Sequence, residues 1–307
     1  MAIQESKQAE FLELLDRHTS DDGIGTTPIP NLHTIRTSQL NARQPQVYPP
    51  GIVLGAQGIK HIYLGGKRYV YGRGHMIASF LSVAALCEVV QASPEKPLLG
   101  IGITMDLNRI SQMIVTMARF EPFSSQIDEG EPSAIFTAPI KENLLDAAVR
   151  LLRTLENPSE AAILGQSVVD EIFFRLLSEE QNGRLKNVLQ QRGQIQQIAR
   201  AVEHLQNHLD KPVSIDELAS LVNMSSSGFH KKFKQVMHAS PLQYAKSIKL
   251  NRAQEYLMSG KTVSETAYLV GYNNLAQFSR EYKRHFGNPP STTSQVMPSS
   301  DLRQYAL

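Results

Sequence analysis

An internal repeat in the C-terminal third constrains this chain more than any other feature. Residues 214–241 read SIDELASLVNMSSSGFHKKFKQVMHASP, and residues 263–290 read VSETAYLVGYNNLAQFSREYKRHFGNPP. Ala219, Asn223 and Met224 match Ala267, Gly271 and Tyr272 at an offset of 48. Phe229, Phe233 and Pro241 match Phe278, Tyr282 and Pro290 at an offset of 49. Repetition of this kind reveals architecture before any single residue does. The one-residue shift falls in or just after a turn, where an insertion is tolerated best.

Each copy has the chemistry of a helix-turn-helix, over about 214–238 and 263–287. A small residue, Ala219 or Ala267, lets two helices cross closely. Four residues on, Asn223 or Gly271 can adopt the left-handed conformation that ends the first helix. Met224 or Tyr272 then plugs the core, and a polar cap, Ser225 or Asn273, starts the second helix. There Phe229 and Phe233, or Phe278 and Tyr282, stand at i and i+4 on the inner face. Between the copies, Pro241 at a first helical turn opens a helix expected to run to about 259, where Gly260 stops it. Nineteen residues at ~1.5 Å each make a rod of roughly 28 Å. Successive major-groove openings on one face of B-DNA lie about 34 Å apart, so such a rod can set two helices in adjacent grooves.

The charge distribution agrees. The chain carries a net charge of +2. From 194 to 307 there are 13 Lys and Arg against 8 Asp and Glu, whereas 1–193 has 18 against 21. A basic block beside a mildly acidic one suggests a polyanion-binding module joined to a module with another task. At 41% hydrophobic and 20% charged residues the chain is globular. Its single cysteine excludes an internal disulfide framework and fits a reducing compartment. The first residues lack the basic start and apolar core of a signal peptide, and no run approaches the ~20 apolar residues of a membrane span. A cytoplasmic protein with no membrane association is expected.

The N-terminal part has a different texture. Residues 1–18 and those following Asp106 predict amphipathic helices, as do 141–156 and 159–177. From about 31 to 104 short β-like runs are broken by glycine: 31–37, 51–56, 59–64, 67–71 and 76–83. Gly65-Gly66 between two of them signals a hairpin. Short strands at this spacing predict an antiparallel barrel or sandwich. The leucine stripe of 141–156 suits either a core or a dimer interface. The polar, glycine-bearing stretch 183–193 is expected to link residues 1–182 to residues 194–307.

The C-terminal 105 residues or so resemble the AraC/XylS family of bacterial transcription regulators. The stretch that carries this is Gly271-Tyr-Asn-Asn, then Gln277-Phe-Ser-Arg-Glu-Tyr-Lys-Arg-His-Phe-Gly287, then Pro289-Pro290. The first copy departs mildly, with Gly228 and Lys231-Lys232 inside its second helix. More weakly, 29–119, with GGKRYVYGRG at 65–74, resembles the cupin-like sensing domain of one branch of that family. The whole is thus expected to be an α+β protein of two domains. A cupin-like antiparallel β-barrel with flanking helices would precede an all-α domain with two helix-turn-helix units on one long helix.

The resemblance implies double-stranded promoter DNA as partner, with RNA polymerase, a small-molecule effector and a second copy of the chain as further partners. Base reading falls to Ser227, His230 and Lys231 in the first unit, and to Leu275, Ala276, Gln277 and Arg280 in the second. Arginine can grip guanine and glutamine adenine with two hydrogen bonds, and an apolar side chain can pack on a thymine methyl. Lys234, Lys283 and Arg284 are expected at phosphates, where they give affinity rather than sequence. For the effector the candidates are Tyr48, His61 and Tyr69; Tyr63 and Tyr71 also stand at strand positions, and alternation must turn some of these outward. The scattered His33, His61 and His75 form no His-x-His pair, so neither a metal nor another cofactor is expected. The apolar neighbours of Cys87 favour a buried, inert thiol over a sensor. The chain lacks the P-loop, GxGxxG, HExxH and GxSxG signatures that an enzymatic reading would call on. A structural adaptor is the other rival, and DNA binding separates it from the regulator.

Overall fold

The structure is a computed structural model that describes residues 2–79, 81–117, 119–120, 134–179 and 192–293. The N-terminal unit opens with helix α1 (Ala2–Arg17) and continues through nine strands. These are β1 (Gly23–Thr26), β2 (Leu32–Thr37), β3 (Asn41–Tyr48), β4 (Gly51–Gln57), β5 (Ile59–Leu64), β6 (Lys67–Gly72), β7 (His75–Ser79), β8 (Val83–Gln91) and β9 (Leu98–Thr104). Helix α2 (Leu107–Met117), strand β10 (Ile135–Pro139) and helices α3 (Glu142–Thr154) and α4 (Pro158–Glu179) complete it. The four helices fall where amphipathic periodicity places them.

The strands form two antiparallel sheets, in the orders β1-β2-β9-β4-β7-β10 and β3-β8-β5-β6. Alternation explains which side of each strand is covered. On one face of the larger sheet Ile52, Leu54, Met76, Ala78, Leu99, Ile101 and Ile103 pack against α1, α3 and α4. On its other face Val53 and Ile77 meet Ile62, Leu64, Ala85 and Cys87 of the smaller sheet. The leucine stripe of α3 (Leu144, Ala148, Leu151 and Leu152) is fully buried in this core.

The sheets meet at a corner that only glycine permits. A Cβ on Gly55 would lie 2.3 Å from the Gly72 carbonyl oxygen, and one on Gly72 would lie 2.2 Å from that of Gly58. The β5–β6 hairpin turns as expected at Gly65 and Gly66, with φ of 59° and 77°. Positive φ at both central residues matches the twist of the flanking strands.

Two strand expectations need correction. The run 76–83 is not one strand but the end of β7 and the start of β8, which belong to different sheets. β3 was not visible as a run, because its centre reads Arg-Gln-Pro-Gln and it lacks apolar alternation. Its Pro45 has no donor for a ladder, and β3 is accordingly an edge strand.

The C-terminal unit is all α: α5 (Arg192–Asn207), α6 (Ile215–Leu221), α7 (Ser226–Met237), α8 (Pro241–Met258), α9 (Val263–Leu269) and α10 (Leu275–Phe286), then a 3-10 turn, Pro290–Thr292. The expected linker, 183–193, lies outside the described residues as far as 191. Helices α8 and α10 lie against edge strand β3, and α8 also touches β8.

Replacing Gly72 by alanine puts a methyl group where the corner has no room. Overpacking of that kind costs ~1–3 kcal/mol. The variant should unfold at lower urea concentration than the parent chain, read by circular dichroism.

Candidate nucleic-acid interface

Both helix-turn-helix units are built by the same local chemistry. The turn of the first closes through Met224 N–H to the Ala219 carbonyl (2.9 Å), and that of the second through Tyr272 N–H to the Ala267 carbonyl (2.9 Å). The left-handed residues are Asn223 (φ 55°) and Gly271 (φ 79°). Glycine is required at the second: a Cβ there would lie 2.5 Å from the Asp210 carbonyl oxygen in the turn that follows α5. Ser225 caps α7 by accepting from the Gly228 N–H (3.2 Å). The cap of α10 is Asn274, which accepts from Gln277 N–H (3.0 Å), and not Asn273 as its neighbour suggested. The extra residue of the second turn moves the cap one position along.

The inner faces are wholly buried. Phe229 and Phe233 stack edge-to-face with centroids 5.5 Å apart, and Phe233 meets Tyr244 of α8. In the second unit Phe278 packs on Tyr272 (5.3 Å) and Tyr282 (5.6 Å). The Tyr282 hydroxyl pairs with Thr293 (2.8 Å), and burial pushes its pKa up to about 12. α8 serves both cores: Tyr244, Ala245 and Ile248 belong to the first, Leu250, Ala253 and Leu257 to the second. Its Ser240 capping box and Pro241 fix where it starts.

With these residues turned inward, every nominated DNA contact is on the surface. Ser227, His230, Lys231 and Lys234 on α7 are exposed, as are Leu275, Ala276, Gln277, Arg280, Lys283 and Arg284 on α10. Leu275 is 45% exposed, unusual for leucine at the start of a helix. The residue that sequence reasoning missed here is Glu281. Its carboxylate accepts from the Tyr272 hydroxyl (2.7 Å), Lys246 Nζ (2.9 Å) and, at longer range, Gln277 Nε2 (3.4 Å). Burial works against its charge, but these hydrogen bonds outweigh it and lower its pKa. An ion pair this exposed is worth only ~0–1 kcal/mol, so its weight lies in geometry rather than stability.

The N-terminal unit docks against the end of α7 and the start of α8. The Tyr244 hydroxyl donates to the Ser82 carbonyl (2.9 Å), and the Ala134 N–H donates to the Val236 carbonyl (3.2 Å). The tip of the β5–β6 hairpin rests on His238, the left-handed residue that ends α7: a Cβ on Gly65 would lie 2.5 Å from its side chain. Helices α3 and α4 are engaged with the larger sheet. Their core contains no residue of the C-terminal unit, whereas the core of the smaller sheet runs on into the first helix-turn-helix. A cavity of about 280 Å³ lies at this seam, lined by Ala84 of β8 and by Tyr244, Lys246, Glu281, Arg284 and His285.

Of the effector candidates, the structure places two on one face of the smaller sheet, on its opposite edge strands β3 and β6. Tyr48 and Tyr69 lie on the face of the smaller sheet shared with Ile62 and Cys87, Tyr69 standing opposite Ile62. His61 lies on the opposite face, beside Tyr63, whose hydroxyl donates to Glu88 (2.9 Å). Cys87 is buried, and its thiol donates to the Tyr48 hydroxyl (3.4 Å); burial pushes its pKa up. Lys60 was overlooked, although the period of Ile62 and Leu64 places it on their side. Its ammonium donates to Gln46 (2.8 Å) and lies 5.4 Å from the Tyr48 ring; burial lowers its pKa. Among the described residues, no group of three or more His, Cys, Asp or Glu is arranged to hold a metal ion, and no helix is long and apolar enough to cross a membrane.

Comparison with known proteins matches residues 28–184 to the family described as AraC-type transcriptional regulator N-terminus, and residues 218–295 to a helix-turn-helix domain. Among curated proteins, the HTH-type transcriptional regulator GbdR of Pseudomonas aeruginosa is 30% identical over 131 residues, which cover 41% of this chain and 35% of that protein. The HTH-type transcriptional regulator ArgR of the same species is 28% identical over 148 residues, 47% of this chain and 44% of that protein. The match thus spans less than half the length of either. Among solved structures, ToxT from Vibrio cholerae aligns with a TM-score of 0.57 at 11% identity, over 87% of this chain and 98% of that one. Unsaturated fatty acid-bound ToxT aligns with a TM-score of 0.55 at 9% identity, over 88% and 96%.

His285 gives the interface a pH dependence. Burial, and after it the charge of Lys246, lowers its pKa from 6.5 to about 4, so the fold holds it neutral, and its Nε2 lies 3.4 Å from the Asn251 side-chain amide. Unfolded chain then binds a proton that folded chain refuses, and stability falls as pH drops from about 6.5 toward 4. His285→Gln should flatten the denaturation midpoint over that window relative to the parent chain.

Proposed function

The chain belongs to the AraC-type transcriptional regulators, and from that premise we propose that it reads promoter DNA with α7 and α10 in successive major grooves, under control of a small-molecule effector held by the N-terminal unit. It is a DNA-binding transcription regulator of that family rather than an enzyme. The observation that carries the finer reading is the segregation on the two second helices. The aromatic residues Phe229, Phe233, Phe278 and Tyr282 are buried, while all seven nominated base readers, Leu275 and Ala276 among them, face solvent. The 18 residues of α8 make a rod of about 27 Å between the units. That is close to the ~34 Å repeat of the groove.

Within this reading Arg280 and Gln277 supply bidentate base contacts, Leu275 and Ala276 a surface for a thymine methyl, and Ser227, His230 and Lys231 the first-unit contacts. Lys234, Lys283 and Arg284 hold phosphates. We take residues 1–182 as the sensing unit and 194–307 as the reader. Tyr48 and Tyr69, with Lys60, form the candidate effector face; His61, on the other side of the sheet, would have to act from outside. The fatty acid held by ToxT belongs to that protein, and a likeness at 9% identity carries the fold and not the ligand. Control by an effector requires that it bind one global state better than another, and a coupling of ~1–3 kcal/mol would change operator affinity about 5- to 150-fold.

Duplexes selected from a random pool by the full chain provide the test. Arg280→Ala should lose ~1–3 kcal/mol on the selected duplex and relax preference at one base position. Lys283→Ala should weaken binding to all duplexes and lower the salt slope by about one. Identical behaviour of the two on selected and random DNA would refute the division of roles. For the effector, a compound that raises the melting temperature should also shift operator affinity; one that binds and leaves affinity unchanged removes the sensing half of the reading.

A further inference from the structure

We propose that Glu281 is a specificity-determining positioning residue, which fixes the Gln277 amide in the orientation that reads adenine and anchors it to Lys246 on the linking helix. The proposal rests on the reading above, in which Gln277 faces the bases. A glutamine amide has two unlike ends of the same shape, and rotation about its last bond exchanges them. An ionised carboxylate only accepts hydrogen bonds, so beside Glu281 the amide must present its nitrogen to the carboxylate and its oxygen away from it. One N–H is then committed to Glu281, leaving one N–H and the carbonyl oxygen for a base. Adenine offers the matching pair in the major groove, an acceptor at N7 and a donor at N6. Guanine offers two acceptors there and would meet the Gln277 oxygen with a repulsive one.

Glu281 can impose this only if it is itself held. One carboxylate oxygen takes the Tyr272 hydroxyl at 2.7 Å, and the other takes Lys246 Nζ at 2.9 Å along with Gln277. Tyr272 sits in the core of the second unit and Lys246 on α8, so the carboxylate is braced from two elements besides its own. The lysine also offsets a negative charge that would otherwise stand one helical turn from a base-reading position, close to phosphates. The first unit provides an internal contrast. At the offset of 49, Gly228 and Lys232 occupy the positions of Gln277 and Glu281, and at 48 Met224 occupies that of Tyr272. None of the three can make this network. The brace is therefore not a requirement of the helix-turn-helix fold but an addition to the second reader.

The test uses the full chain and duplexes that the parent chain selects from a random pool, with the preference among the four bases measured at each position. Gln277→Ala and Glu281→Ala should flatten preference at the same position, on the order of tenfold. The double variant should be no flatter than Gln277→Ala alone. Glu281→Gln puts an amide that can also donate where both carboxylate oxygens accept, so it should flatten the same position in part. Loss of the negative charge raises affinity for every duplex, so the ratio among bases, not the affinity, is the readout. If Glu281→Ala lowers the melting temperature too far to measure, Tyr272→Phe removes one brace from the carboxylate and should partly flatten the same position. Unchanged preference in Glu281→Ala, flattening at a different position, or an additive double variant would overturn the proposal. If Gln277→Ala itself flattens no position, the base-reading role of Gln277 has failed, and the proposal with it.

Discussion

Helix α8 presents one side to one hydrophobic core in its first half and nearly the opposite side to another in its second, and the arrangement of the reader depends on that change. At 3.6 residues per turn each residue advances about 100°. Ile248 and Leu250, the last contact with the first core and the first with the second, therefore point roughly 200° apart. The two helix-turn-helix units are seated on opposite sides of one rod. An isolated helix of this length would be marginal in water. Here burial of Tyr244, Ile248, Leu250 and Leu257 holds it, at ~1.5–3 kcal/mol for each large apolar side chain. The spacing of the readers is thus set by packing, not by a flexible tether.

The same helix meets the N-terminal unit. Tyr244 contributes its ring to the first core and its hydroxyl to the Ser82 carbonyl, so one side chain belongs to both units. A buried phenol needs a partner, and leaving that carbonyl unsatisfied would cost ~1–3 kcal/mol. The seam has another polar tie, the Ala134–Val236 backbone bond, and a close steric fit of the Gly65 turn against His238. These contacts engage the C-terminal end of α7 and the start of α8, leaving the exposed first turns of both second helices clear of the N-terminal unit. The smaller sheet therefore touches the C-terminal unit at the end of α7, on α8 and, through β3, on α10.

Legibility followed the range of the physics involved. The repeat, its left-handed Asn223 and Gly271, the buried Phe pairs and the Gly65-Gly66 hairpin are short-range chemistry, written within a few residues and read without a structure. Where a feature depended on a partner far along the chain, it was lost. β3 carries no alternating apolar pattern, since Ala42, Arg43 and Gln44 are all exposed, and nothing local tells the sheets of β7 and β8 apart. Tyr48 and Tyr69 share a face with Lys60 through strand register, which the period of Ile62 and Leu64 could have supplied; the same period turns His61 away. Glu281 is locally one more acidic residue on a helix, since its meaning comes from Lys246, 35 positions earlier. The one-residue shift between repeats was visible, but its effect, moving the cap from Asn273 to Asn274, was not.

That shift distinguishes the two readers more than their common fold suggests. In the first, Ser225 caps α7 immediately after Met224, and Gly228 stands in the first turn of the helix, where it weakens helix formation by up to ~1 kcal/mol relative to alanine. Its outward residues are Ser227, His230 and Lys231, which contribute a hydroxyl, an imidazole and a mobile ammonium. In the second, Asn274 caps one residue later, no glycine interrupts α10, and Gln277 is braced through Glu281 to the linking helix. Preorganised groups lose less entropy on binding than mobile ones, so contacts of equal number favour the second helix. On the proposed reading of DNA by α7 and α10, an adaptable first helix and a preset second would let one rigid rod serve operators whose two half-sites differ, with sequence discrimination concentrated under α10.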